Sequence, residues 1–256
     1  MHLQETKIRR ISFGIAFSIV LAMALVFLYD YNFQLDFYKF GLFPRKIEGL
    51  LGILTSPFIH STANYSHLLN NSLPMFVLTW LLFYSYRTIA AKVFIFIYIA
   101  TGVLVWLLGR ESYHIGMSGV IYGLTSFLIV SGFFRKNMRI AGISLLVIFL
   151  YGSIIWGVMP LDPSISWEGH FFGFLSGMIM AGVYRKEGPQ PEKFRYEIEE
   201  DLGLEYEDEF WLEKPYTSVT DTDELDNDQQ IIINYTFIPT QPKVVNPPEY
   251  TDFEEE

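Results

Sequence analysis

The sequence predicts an all-α membrane protein: six spanning helices followed by a mostly disordered acidic tail. Three observations lead there. The chain of 256 residues is 51% hydrophobic and 17% aromatic, and its apolar residues gather into near-uncharged runs that soluble domains seldom carry. Its net charge of −10 is divided unevenly. From Glu187 on there are 21 acidic and 4 basic side chains, which leaves 7 acidic and 14 basic ones before that point. Basic residues also cluster at alternate ends of the apolar runs, the pattern of a bundle oriented by its cytoplasmic charge.

Crossing a bilayer as a helix takes about 20 apolar residues. Six stretches meet or approach this: residues 11–29, 67–86, 92–108, 118–134, 140–158 and 170–184. The first follows Lys7, Arg9 and Arg10, as a signal peptide would. Its only A-x-A, Ala22-Met23-Ala24, lies inside the run rather than after it, so it is read as a retained anchor. Arg87 and Lys92, then Arg135, Lys136 and Arg139, then Arg185 and Lys186 fall on the same side as those first basic residues. That side is the cytoplasm, so both termini are expected there, with a location in the cell (inner) membrane.

The chain therefore divides into a cytoplasmic N-terminus (1–10), a membrane domain (11–186) and a cytoplasmic tail (187–256). The long first connection, residues 30–66, holds Phe40-Gly41-Leu42-Phe43-Pro44 and an apolar stretch at 47–58. Its aromatics suit an interface, and it is read as an outer cap on the bundle, with substrate gating as the other possibility. The tail suggests a strand at 230–238 and a helical stretch near 194–204, before prolines 239, 242, 247 and 248 break the pattern.

With no cysteine, disulfides and thiolate metal sites are excluded. The five histidines (2, 60, 67, 114 and 170) show no HExxH-like spacing. No metal, cofactor or nucleic-acid partner is expected.

Polar groups at membrane depth are costly and face the bundle interior. The second, fourth and sixth runs enter from the same, non-cytoplasmic side. Their first turns bring His67 and Asn71, then Ser118, then His170 to a similar depth. The fourth opens Gly116-Met117-Ser118-Gly119-Val120-Ile121-Tyr122-Gly123, and its GxxxG admits a close neighbour. In the sixth, Gly169, Gly173 and Gly177 recur every four residues and line one helical face. Two smooth faces would let Ser118 and His170 meet. A hydroxyl beside a neutral imidazole is the chemistry of an activated nucleophile. Taken singly, a serine in a membrane helix usually bonds its own backbone, and GxxxG is commonly only packing.

Gly116-Met117-Ser118-Gly119-Val120-Ile121-Tyr122-Gly123, His170-Phe171-Phe172-Gly173-Phe174-Leu175-Ser176-Gly177 and His67-Leu68-Leu69-Asn70-Asn71 resemble the rhomboid family of intramembrane serine proteases. The likeness covers roughly residues 11–186. It implies a rhomboid-like six-helix bundle and a Ser-His dyad that cleaves transmembrane segments of other membrane proteins. Under the resemblance Ser118 is the nucleophile, His170 the general base, and Tyr122 the aromatic packed on that base. Asn71, His67 and the Ser118 N–H line the oxyanion hole, and Gly116 keeps the backbone before the nucleophile bare. Gly119, Gly123, Gly169, Gly173 and Gly177 are packing positions.

His60 resembles a structural histidine of the family, and His114 reads as a loop residue near the mouth. The family's Trp-Arg pair in the first outer loop is missing, and Ile47-Glu48-Gly49 stands there instead. Two other readings are an inactive relative that binds transmembrane helices, and a small transporter lined by His67, Asn71 and His170. Polar groups confined to one third of the bundle argue against the transporter. The tail falls outside the likeness, and its charge leaves it available to a soluble partner.

Overall fold

Each of the six apolar stretches falls for most of its length on an α-helix of the computed structural model. The structure describes residues 2–203 other than 136, 161–164, 191–197 and 199–200. Among these residues are seven α-helices and no strand: α1 (His2–Phe33), α2 (Gly52–Thr55), α3 (Tyr65–Ser85), α4 (Ala90–Leu108), α5 (Ser118–Phe134), α6 (Met138–Tyr151) and α7 (Trp167–Val183). Short 3₁₀ turns at Phe37–Phe40, Ile47–Gly49, Ser56–Phe58 and Gly152–Val158 connect them.

The boundaries depart from expectation in instructive ways. α1 begins at His2, so Lys7, Arg9 and Arg10 belong to the helix instead of preceding it. Lys and Arg are good helix formers whose charged ends stay in water. α3 starts two residues before His67, where the Asn64 side chain accepts the Ser66 N–H at 3.1 Å as an N-cap. The stretch at 140–158 is α-helical only to Tyr151. Gly152 and Gly157 weaken the helix, and the chain tightens into a 3₁₀ turn. α7 opens at Trp167, which places His170 inside its first turn. Of the tail readings, the strand at 230–238 lies outside the described residues, and in the helical stretch near 194–204 Ile198 and Asp201 are helical.

α1 and α4 are each long and apolar enough to cross a membrane, and 22% of the best window of each is buried. A core helix of a soluble protein would be mostly covered. Here Ile11, Phe17, Leu25, Ile95 and Ile99 are instead exposed, a surface that suits lipid better than water.

α5 is the central helix. Every residue from Gly119 to Leu128 is buried among α3, α4, α6 and α7. Its 17 residues span roughly 25 Å. Its closest partner is α7, and glycine makes that approach possible. A Cβ on Gly173 would fall inside contact distance of the Gly119 carbonyl, and one on Gly119 would stand 3.0 Å from the Gly169 carbonyl.

The first connection packs as short helical turns against α4. Trp106 Nε1 donates to the Lys46 carbonyl at 2.9 Å, Arg45 Nη1 to the Gly109 carbonyl at 2.6 Å, and Tyr98 Oη to the Leu54 carbonyl. These bonds fasten the loop without a Trp-Arg pair of its own.

At the other end of α5 lies a buried arginine. Arg135 Nε donates to Ser131 Oγ at 2.8 Å, Nη2 to the Tyr184 carbonyl at 2.5 Å, and Nη1 to the carbonyls of Glu187 and, at 3.0 Å, Pro189. Its guanidinium also sits 5.2 Å from the centre of the Tyr86 ring. Asn137 Nδ2 continues this clamp to the Gln190 carbonyl at 2.6 Å.

Candidate active site

Three helix beginnings converge. Before α5 the chain turns at Gly116, whose φ of +103° suits glycine and whose N–H donates to the Ser56 carbonyl at 2.8 Å. A side chain there would collide with its surroundings, since a Cβ would stand 2.8 Å from His67 Nε2 and 3.7 Å from Asn71 Nδ2. Ser118 follows as the first residue of α5 and is half-buried.

The Ser118 Oγ lies 2.8 Å from His170 Nε2. Direction follows from the other side of the ring. His170 Nδ1 is 2.8 Å from the Gly157 carbonyl, in the Gly152–Val158 turn. A carbonyl only accepts, so Nδ1 carries the hydrogen. The neutral ring then turns its Nε2 lone pair to the serine, and the hydroxyl donates. The Tyr122 ring stacks on the imidazole, with centroids 4.0 Å apart and planes 7° from parallel. The ring is thus held at both nitrogens and on one face.

α3 supplies the third wall. Asn71 is buried, and its Nδ2 donates one hydrogen to the His67 carbonyl at 2.9 Å. The other hydrogen of that amide is left over from this bond, and the Gly116 contacts place both Asn71 Nδ2 and His67 Nε2 beside the bend preceding Ser118.

His60 packs on His67 with ring centroids 5.0 Å apart. Its Nδ1 donates to the Phe58 carbonyl at 3.2 Å, and its buried Nε2 has no hydrogen-bond partner among the described residues. Burial, with the His67 ring beside it, pushes its pKa down to about 4, so it is neutral at ordinary pH. Next to Ser118 lies a cavity of about 40 Å³ whose walls include Ser56, Thr101, His114 and Ser166, large enough for a water molecule.

Ser118, His170, Tyr122, Asn71, His67 and Gly116 are therefore brought together, while Gly119, Gly123, Gly169, Gly173 and Gly177 form the α5–α7 contact. The sequence reading missed the Gly157 carbonyl, because a main-chain acceptor leaves no residue-type signature. His114, read as a loop residue, stands in the loop between α4 and α5, where its side chain is buried and hydrogen-bonded to Ser166. Among the described residues no group of three or more His, Asp and Glu stands where it could hold a metal.

A family model described as the Rhomboid domain matches residues 48–187. An uncharacterized protein of Mycobacterium tuberculosis is 36% identical over 151 residues, which are 55% of this chain and 62% of that protein. One of Mycobacterium leprae is 34% identical over 177 residues, 64% of this chain and 69% of the relative. A protein of Acanthamoeba polyphaga mimivirus, named provisionally as a rhomboid protein, is 29% identical over 140 residues, 53% of this chain and 75% of its own length. The chain thus spans less than two thirds of the tuberculosis relative. With the domain model covering more than half of it, the chain belongs to the rhomboid family.

Proposed function

We propose that the protein is an intramembrane serine endopeptidase, with Ser118 as nucleophile and His170 as general base. The observation that carries this reading is the 2.8 Å bond from Ser118 to an imidazole whose tautomer the Gly157 carbonyl fixes. Six helices (α1 and α3–α7) cross the bilayer with both termini in the cytoplasm. The substrates are transmembrane segments of other membrane proteins.

Ser118 Oγ attacks the scissile carbonyl carbon while its proton passes to His170 Nε2. The imidazolium that forms keeps its Nδ1–H on the Gly157 carbonyl, which disperses part of the new charge. The tetrahedral oxyanion accepts hydrogen bonds from the spare Asn71 hydrogen, His67 and the Ser118 N–H. Such donors are typically worth on the order of 10²–10³ in rate. Collapse breaks the C–N bond, and His170 returns the proton to the leaving amine. Water, for which the cavity beside Ser118 has room, then attacks the acyl-enzyme with His170 again taking a proton. Ser118 leaves as the hydroxyl, releasing a carboxylate. Tyr122 holds the ring flat, and the Gly157 carbonyl on Nδ1 takes the place that an acidic side chain occupies in triads.

Incubation with a serine-reactive fluorophosphonate tests the assignment. Label is expected on the native chain and absent from Ser118→Ala and His170→Ala. Labelling that survives in Ser118→Ala refutes the nucleophile, and an unlabelled native chain favours an inactive, helix-binding relative.

A further inference from the structure

The first turn of α7 carries His170, and the loop between α4 and α5 grips it. Arg110 Nη2 donates to the Ile165 carbonyl at 2.5 Å, and its Nε lies 3.4 Å from Glu168 Oε1. A second grip runs through His114, a buried residue whose main chain pairs with Leu42 of the first connection. His114 Nε2 faces the Arg110 carbonyl at 3.1 Å, so Nε2 carries the hydrogen. The neutral ring then presents a lone pair at Nδ1, where Ser166 Oγ stands 2.6 Å away and donates. The same oxygen accepts the Gly169 N–H at 3.4 Å as the N-cap of α7. Gly169 is the neighbour of His170.

We propose that His114 and Ser166 are positioning residues: their hydrogen-bond relay sets the rotation of the first turn of α7 and thereby the place of the His170 ring against Ser118. The inference rests on the function proposed above and deepens it. Because Ser166 gives its hydrogen to His114, its lone pairs are free for the Gly169 N–H. Protonation of His114 would turn Nδ1 into a donor, and Ser166 would have to swing its own hydrogen elsewhere. Among the described residues the charged groups facing His114 are Arg110 on its own loop and Glu168 on α7, and Glu168 Oε2 is buried with no hydrogen-bond partner among them. Burial lowers the pKa of His114, opposed by its bond to the Arg110 carbonyl and by Glu168. The relay is therefore intact at neutral pH and exposed to acid.

The experiment follows fluorophosphonate labelling of Ser118 against pH in the full chain, for Ser166→Ala, Ser166→Thr and Ser166→Asp. Threonine can cap and donate. Aspartate caps equally well but cannot donate, so only the imidazolium of His114 bonds to it. Labelling is expected to fall about 10-fold or more in Ser166→Ala, as displaced reacting groups lose rate, and to recover in Ser166→Thr. The Asp-to-Thr rate ratio rises as pH falls, a comparison in which titration of His170 cancels. In a His114→Gln background that rise disappears. Equal Asp and Thr profiles with His114 present, or native labelling in Ser166→Ala, would reduce Ser166 to a plain cap and overturn the inference. Should Ser166→Ala fail to fold, the Thr and Asp profiles still decide. Label that stays Ser118-dependent but ignores residue 166 refutes this inference alone, whereas label on Ser118→Ala refutes the proposed function.

Discussion

At Gly157 the missing side chain matters as much as the carbonyl. A Cβ there would overlap Tyr122 Oη and stand 3.3 Å from His170 Nδ1. Gly157→Ala is expected to push the ring or the turn aside and slow fluorophosphonate labelling by up to about 100-fold, the scale at which small misplacements act. Gly152→Ala in the same turn would meet, among the described residues, only Ile148 at an ordinary 3.6 Å and should label normally. His60 gives a pH prediction. Its folded pKa of about 4 lies below the ordinary 6.5, so the unfolded chain binds more protons between those values. Stability then falls as pH drops from 6.5 toward 4, by on the order of 3 kcal/mol for this group. Melting in detergent should show a shallower acid slope for His60→Asn than for the native chain. Ser118 and His170 stood out in the sequence because polar groups at glycine-marked helix starts are uncommon there, whereas Tyr122 entered through the family resemblance. Gly157 could not, since its contribution is a carbonyl that every residue owns. Ser166 was indistinguishable from any loop serine before a helix.

Among the elements, the α5–α7 pair depends on backbone meeting backbone. Gly173 lies against Gly119, and Gly177 against Gly123. Gly173→Val is expected to separate the helices, lower the melting temperature by several degrees and abolish labelling. Gly142→Val on α6, where a Cβ meets nothing within 4 Å, should melt within about a degree of native. The glycine period made this contact legible before any coordinates, because only one helical face collects residues four apart. The ends of elements were less legible. Hydropathy could not separate the α-helix ending at Tyr151 from the 3₁₀ turn after it, since both are apolar. That distinction places the Gly157 carbonyl on His170. The first connection was readable as a cap by its aromatics, but its anchoring bonds run from Trp106 and Tyr98 of α4 to loop carbonyls, which no spacing announces.

Across the whole molecule, residues 187–190 return to the helix bundle at the Arg135 clamp. Glu187, Pro189 and Gln190 offer their carbonyls to the α5–α6 corner. Ending the chain after Gln190 should leave labelling and melting unchanged, while ending it after Lys186 strips acceptors from a buried guanidinium and destabilises by about 1.5–3 kcal/mol for each bond lost. Equal melting of the two truncations would show the clamp to be idle. α1 packs chiefly on α3 and the Ser56–Phe58 turn, and the domain match begins only at residue 48. The family model thus covers the helices that carry Ser118 and His170 and leaves out α1, which adds Met23 and Phe27 to the common core. A lineage could exchange that first helix for another anchor, changing how the molecule is delivered or what it travels with, and never touch the chemistry.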